Sequence, residues 1–417
     1  MPDKASGLTT AAHAVLALYT YGSAFSQIGM WVQRVAIGWL VWDLTESGIW
    51  LGALAVAEFL PTIVVTPFGG VLSDRLDRRK VTLATQSLSA ILALGLWALT
   101  VLGAVAAWQV VAMNFLWGVL SALQQSSRIA LVPSLVPRDL VGQALAINSV
   151  SFNLARFVGP ALSGAMIAGV GIGWTFFLNA VSYAPVMYAM SQLKLPESRR
   201  RVGGDFMGEM AEGFRFTLTH DAIRAMMILM ALAAVFTRAT IELLPGFADE
   251  VFGRGAAGLA TFTSAGGLGA MVAGLWLAQR KNHHGLTVIA IAAVIANAVA
   301  IAIFASTSSF AAATAMMAVA GITHVSAGTA SQTLVHIGVP DAMRGRVMSF
   351  WLVINRGGPA LGAMIFGWLS EHYGWGWPTV TGCTITLLVG AWALGRRKLV
   401  AESLEQSRSG EEFLQSK

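Results

Sequence analysis

Seven ionisable side chains stand in long apolar stretches, where water should not reach them: Arg34, Arg156, Arg238 and Arg356, the carboxylates Glu58 and Glu242, and His324. Two chemistries suit such groups. A carboxylate in dry surroundings can trade protons, because burial favours its neutral form and a nearby guanidinium favours its charged form. Guanidiniums bind anions through fixed charge and paired N–H donors. An arginine at the centre of a membrane helix costs about 2.5–3.5 kcal/mol. Four facing lipid would cost on the order of 10–14 kcal/mol, so these must face protein or a wet cavity. Four deep arginines against two deep glutamates leave a cationic excess, which favours an anionic or mixed polar–aromatic solute. Glu58 is the first candidate for carrying a proton and Glu242 the second; a solute bound beside Arg34 would change whether Glu58 holds its proton.

Helical spacing gathers partners around these groups. Gln27, Trp31 and Arg34 share one face. So do Asn114, Trp117, Ser121, Gln124 and Arg128 in a later stretch, and Ser149, Phe152, Asn153 and Arg156 in the next. His324 is followed by Gly328 and Ser331, and Arg356 has Trp351 and Asn355 close by. Gln27, Trp31, Arg34, Gln124, Phe152, Asn153, Arg156, Arg238, His324, Trp351, Asn355 and Arg356 are therefore the candidate substrate-binding residues. Plainer readings stay open. Arg34 with Glu58, and Arg238 with Glu242 one helical turn on, can form structural ion pairs. Arg156 and Arg356 can bond carbonyls freed by the prolines that follow them. Enzyme chemistry finds no footing: there is no HExxH, no GxSxG elbow and no pair of aspartates on one helix face. Cys383 is the only cysteine, which excludes an internal disulfide and Cys-rich metal sites. No cofactor and no metal site are expected.

The elements that must hold these groups are membrane helices. Of 417 residues, 56% are apolar and only 12% charged, half the charged share of a soluble domain. Fourteen tryptophans and 44 glycines suit bilayer interfaces and closely packed spanning helices. Twelve candidate spans lie near 14–42, 48–72, 81–103, 107–132, 143–170, 174–193, 223–247, 255–279, 286–306, 308–335, 344–370 and 376–395. No cleavable signal peptide is visible in "MPDKASGLTT". Loop arginines and lysines fall on one side, from Arg75 to Lys398, while the opposite loops hold only Arg254. The positive-inside rule then places both termini in the cytoplasm. The net charge of +6 thus reflects topology, not nucleic-acid binding.

The chain repeats itself. "GVLSALQQSSRIALVPSLVPRDLVG" from Gly118 lies over "GITHVSAGTASQTLVHIGVPDAMRG" from Gly321 without a gap, so Gly118, Pro137 and Gly142 match Gly321, Pro340 and Gly345. "RFVGPALSGAMIAG" from Arg156 echoes "RGGPALGAMIFG" from Arg356. Two six-span halves in the same orientation are parallel repeats about an axis along the membrane normal, with a site near mid-membrane. The expected domains are 1–197, a six-helix bundle; 198–222, a cytoplasmic linker; 223–398, a second six-helix bundle; and 399–417, a cytoplasmic tail.

One loop is dense with charge. In "GGVLSDRLDRRKV" two acids and four bases occupy seven positions between apolar runs. Gly70, Asp74, Arg75, Arg78 and Arg79 fit a Gly-x-x-x-Asp-Arg-x-Gly-Arg-(Arg/Lys) pattern, with Asp77 in place of the generic glycine. By this loop, the twelve spans and the repeat, the chain resembles the major facilitator superfamily. By "WLVWDLTESGIWLG", "ELLPGFADEVFG", "GGLGAMVAG" and "RGRVMSFW" it resembles the branch holding enterobactin-exporter-like proteins. The resemblance implies an all-α membrane protein of two six-helix bundles. It also implies that the loop is a conformational latch in which Asp74 meets the N-terminal end of span 11. Gly159 and Pro160, and Gly358 and Pro359, are similar to the Gly-Pro bends of superfamily antiporters.

The resulting expectation is a proton-coupled exporter of a small amphipathic or anionic organic solute (a siderophore, drug or metabolite), working by alternating access. Its partners would be that solute, protons and membrane lipid. It would act as a monomer in a bacterial-type cytoplasmic membrane. A lysophospholipid flippase and a facilitated-uptake transporter of the same fold are the alternatives.

Overall fold

The computed structural model describes residues 10–75, 78–135, 141–192, 206–280 and 283–405, with the backbone alone for residues 10–17, 19, 66–75, 78, 125–135, 141–146, 206–207 and 209–210. Every regular element among them is helical. That is what a bilayer imposes, since a helix satisfies its own backbone hydrogen bonds where no water is at hand. The first helices are α1 (Thr10–Thr45), α2 (Gly48–Arg75), α3 (Arg78–Val101), α4 (Ala107–Leu135), α5 (Val141–Gly169) and α6 (Gly173–Gln192). A shorter helix, α7 (Phe206–Thr219), comes next.

The later part holds α8 (Asp221–Phe236), the short turns α9 (Ala239–Glu242) and α10 (Leu244–Gly246), and a π-helical turn, Phe247–Val251. Then come α11 (Gly255–Ala278), α12 (Leu286–Ser306), α13 (Phe310–Gly338), α14 (Asp341–Tyr373) and α15 (Gly376–Gly395). The described chain ends in α16 (Arg397–Val400) and a second π-helical turn, Ala401–Glu405. Among the described residues seven helices are long and apolar enough to cross a membrane: those holding Gly48–Val65, Arg79–Val101, Asp221–Glu242, Gly255–Ala278, Leu286–Ser306, Phe310–Gly338 and Gly376–Gly395. The count of twelve spans also includes α1, α4, α5, α6 and α14. These are long enough, but polar residues such as Gln33, Asn114, Asn153, Asn179 and Asn355 interrupt their apolar runs.

The chain divides into two compact units, 1–37 with 60–201, and 38–59 with 202–417. In the first, α1 lies against α6 where Gly22 meets Pro185 and Gly29 meets Asn179 and Ser182. Helix α3 packs on α4 and α6. A buried amide contact ties α1 to α6, Asn179 Nδ2 donating to Gln33 Oε1 at 2.7 Å. In the second unit α13 packs on α11 and α12, and α14 packs on α8 and α7. The core there is Ile223, Met226, Leu334, Val347 and their neighbours. The last residues of α1 and the first of α2, Gly38–Phe59, belong to this second unit.

One expected span departs from its reading. The stretch 223–247 reads as one continuous helix, but α8 stops at Phe236. Thr237 and Arg238 both donate their backbone N–H to Ala233 O, at 3.0 and 3.1 Å. A second interruption falls at Leu243, whose N–H turns to Thr240 O at 3.2 Å. Pro245 brings no N–H to the ladder, and the following turn is π-helical. By contrast α5 and α14 run through Pro160 and Pro359 as single helices.

Candidate functional site

In the first unit, the structure assembles much of what the α1 and α5 faces predict. Trp31 is the centre. The guanidinium carbons of Arg34 and Arg156 lie 5.8 and 5.7 Å from its ring centroid. Phe152 meets it edge-on at 6.0 Å. The approach of α5 depends on Gly159, where a Cβ would stand 2.5 Å from Trp31 Cβ. A cation over an indole is worth about 0.5–2 kcal/mol, more as water is excluded. Gln27 lies one turn before Trp31 and is buried, and neither end of its amide has a hydrogen-bond partner among the described residues. The Trp31 indole N–H is likewise buried without one. Such groups cost about 1–3 kcal/mol each if nothing fills them. Asn153 instead turns to its own helix and bonds Ser149 O at 2.8 Å. Gln124 is half-buried on α4; the backbone of Arg128 is described, its side chain is not.

A second cluster lies in the second unit, at the break before α9. Arg238 Nη1 donates to the backbone carbonyl of Asn355 at 2.9 Å and to its side-chain oxygen at 3.1 Å. Asn355 in turn donates to Trp351 O at 3.0 Å. The buried indole N–H of Trp351 has no partner among the described residues. Gly358 and Gly362 bring α14 against α8 and the break: a Cβ on Gly358 would stand 2.5 Å from Ala234 Cβ. His324 is half-buried on α13. Arg356 differs from its neighbour Asn355, being exposed on α14. Glu58 and Glu242 are half-buried, the latter closing α9 beside the second interruption.

For the charged loop, Gly70, Asp74 and Arg75 end α2, and Arg78 and Arg79 begin α3. The side chains of Asp74, Arg75 and Arg78 lie outside the described residues, as does Asp77. Arg79 donates to the carbonyl of Ser191 at the end of α6.

Some polar groups in the spans lie outside the helix faces that the deep charges mark. Asn179 contacts both Gln33 and Tyr183. Asn297 donates to Ala320 O at 3.0 Å and Thr323 Oγ1 at 2.9 Å. Thr237 bonds Thr386 at 2.7 Å. The signal was available: a buried amide inside a membrane helix needs a partner on a neighbouring one.

The chain is similar in fold to solved transporters. A bacterial homologue of the human lysosomal transporter Spinster matches with a TM-score of 0.70 at 15% identity, over 97% of this chain and 100% of that one. The nucleoside transporter NupG matches with a TM-score of 0.68 at 14% identity, over 91% and 98%. This fold is that of the major facilitator superfamily, and the family match makes the chain a multi-pass membrane transporter. Within that class the chain belongs to the transmembrane secretion effector family, whose profile matches residues 5–416. Among its relatives, the enterobactin exporter EntS of Salmonella choleraesuis is 26% identical over 303 residues, 72% of each chain. The staphyloferrin A transporter of Staphylococcus aureus is 25% identical over 248 residues, 56% of this chain and 59% of that one.

Proposed function

We propose that this transporter is a proton-coupled exporter of a small anionic, amphipathic organic solute, working by alternating access with both termini in the cytoplasm. The observation that carries the substrate class is the single indole of Trp31 with two guanidiniums on it, Arg34 and Arg156. Two like charges sharing one ring repel each other, so an anion placed between them is doubly favoured. Phe152 offers an apolar wall and the unfilled amide of Gln27 a donor and an acceptor. Relatives named as an enterobactin exporter and a staphyloferrin A transporter support a small organic cargo. Arg238, Asn355, Trp351 and His324 form the second candidate contact group, and exposed Arg356 in the middle of α14 calls for water beside it.

Glu58 is the proposed proton carrier, with Glu242 second. Glu58→Gln removes the titratable proton and keeps the side chain's shape. In everted vesicles it is expected to abolish uptake driven by a pH gradient while leaving solute binding in place. Gradient-driven uptake that survives the change would contradict the proton role.

A further inference from the structure

Helices α6 and α15 carry no charged residue, and neither contributes to the candidate site. Each nevertheless holds a buried polar side chain bonded to a helix that carries a deep arginine. In the first unit Asn179 of α6, 1% exposed, donates from Nδ2 to Gln33 Oε1 of α1 at 2.7 Å. In the second unit Thr237, at the end of α8, donates to the hydroxyl of Thr386 on α15 at 2.7 Å. Thr386, 0% exposed, donates in turn to Gly382 O at 3.0 Å. Gln33 is followed at once by Arg34, and Thr237 by Arg238. The two bonds join residues 146 and 149 positions apart, so they stand at matching places in the two repeats. One is amide to amide and the other hydroxyl to hydroxyl. What the repeats share is the place of the bond and not its chemistry. Close backbone approach frames both bonds. A Cβ on Gly29, one turn before Gln33, would stand 2.8 Å from Asn179 Oδ1. A Cβ on Gly382, one turn before Thr386, would stand 2.6 Å from Phe236 O.

Adjacent residues on a helix point about 100° apart. Tying Gln33 to α6 therefore turns Arg34 away from that contact by a set angle, onto the face where Trp31 receives it. On α1 the helical ladder runs on to Thr45 and helps to hold this phase. Beyond α8 no such ladder exists. The helix stops at Phe236, and Thr237 and Arg238 share one backbone acceptor, Ala233 O. There a side-chain bond must do what the ladder does elsewhere. Both hydroxyls are shielded from water, so losing either leaves the other short of a partner that solvent cannot replace.

We infer that Asn179 and Thr386 are positioning residues. From outside the candidate site, Asn179 fixes the direction of Arg34 through Gln33, and Thr386 fixes that of Arg238 through Thr237. The inference rests on the proposed function only for what the arginines then bind, and its test reads the guanidiniums themselves. The purified full chain, carrying isotope-labelled arginine, is followed by NMR for hydrogen exchange at the arginine side-chain N–H groups. Arg34→Lys and Arg238→Lys assign the two signals. Thr386→Val keeps the shape and removes the hydroxyl. Arg238, which is held on Asn355 through Nη1, should then exchange about five-fold faster, with Arg34 unchanged. Thr386→Ser, which keeps the hydroxyl, should restore the slow rate. Thr237→Val removes the same bond from its other end and should act like Thr386→Val. Asn179→Leu should loosen Arg34 alone. Titration with salicylate, a small aromatic anion, should show affinity falling where exchange speeds up and returning in Thr386→Ser. Unchanged Arg238 exchange in both Thr386→Val and Thr237→Val would overturn the inference, as would equal loosening of both arginines by Thr386→Val. Faster exchange at Arg238 alone, with unchanged salicylate affinity, would support the positioning role while counting against the arginines as solute contacts.

Discussion

Trp31 illustrates how a residue acquires its role from the helix opposite. Its ring takes cations from its own helix and from α5. If the pair grips an anion, Arg156→Ala should weaken binding of anionic candidates about 5- to 30-fold, the scale of one charge-assisted contact of about 1–2 kcal/mol. Arg156→Lys should recover part of it. Titration of the purified protein with carboxylate and catecholate compounds would check this, and equal affinity in the alanine variant would argue for a packing role. The sequence made Trp31, Arg34, Phe152 and Arg156 legible as candidates, because spacing on one helix can be counted. That both arginines share one ring was not legible. It depends on the α1–α5 approach at Gly159, and no pattern within one helix encodes its neighbour. Asn355, a candidate ligand contact, also receives Arg238 through its oxygens.

Among the elements, the helices were readable from apolar length and the interruptions were not. The break between α8 and α9 contains no glycine, and its proline, Pro245, falls after it. The Arg238–Asn355 contact holds it, and that contact joins residues 117 positions apart. The chain's last described turn shows the same kind of long-range dependence. The Glu405 carboxylate caps α12, accepting from Gly285 N at 2.8 Å and Thr287 N at 2.7 Å, while Leu404 is buried against Gly338. Burial pushes the Glu405 pKa up, but the bonds from Thr287 and Gly285 and the nearby His284 outweigh it and hold it below the usual value. A carboxylate held below its unfolded value contributes stability above that value and loses it as the pH falls through the lowered one. Tail docking should therefore persist at neutral pH and weaken in acid, below the ordinary glutamate range. Hydrogen exchange at Leu404 would report this, and Glu405→Gln should flatten the pH dependence. Exchange that ignores both acid and the substitution would contradict it.

For the molecule as a whole, composition alone was enough to expect a membrane protein, and the repeat led to the expectation of two related halves. The packing of Gly38–Phe59 into the second unit was beyond reach, because Ser47, Gly48 and Glu371 carry no pattern until the fold brings them together. The central claim is that the deep guanidiniums survive in the membrane because water and solute reach them. It is tested most directly at Phe152→Cys, beside Trp31, with Cys383 silent in the background. Labelling by a charged, water-soluble thiol reagent and protection by an anionic cargo are expected. Reaction only with a lipid-soluble maleimide, unaffected by any solute, would place these side chains against acyl chains and contradict it.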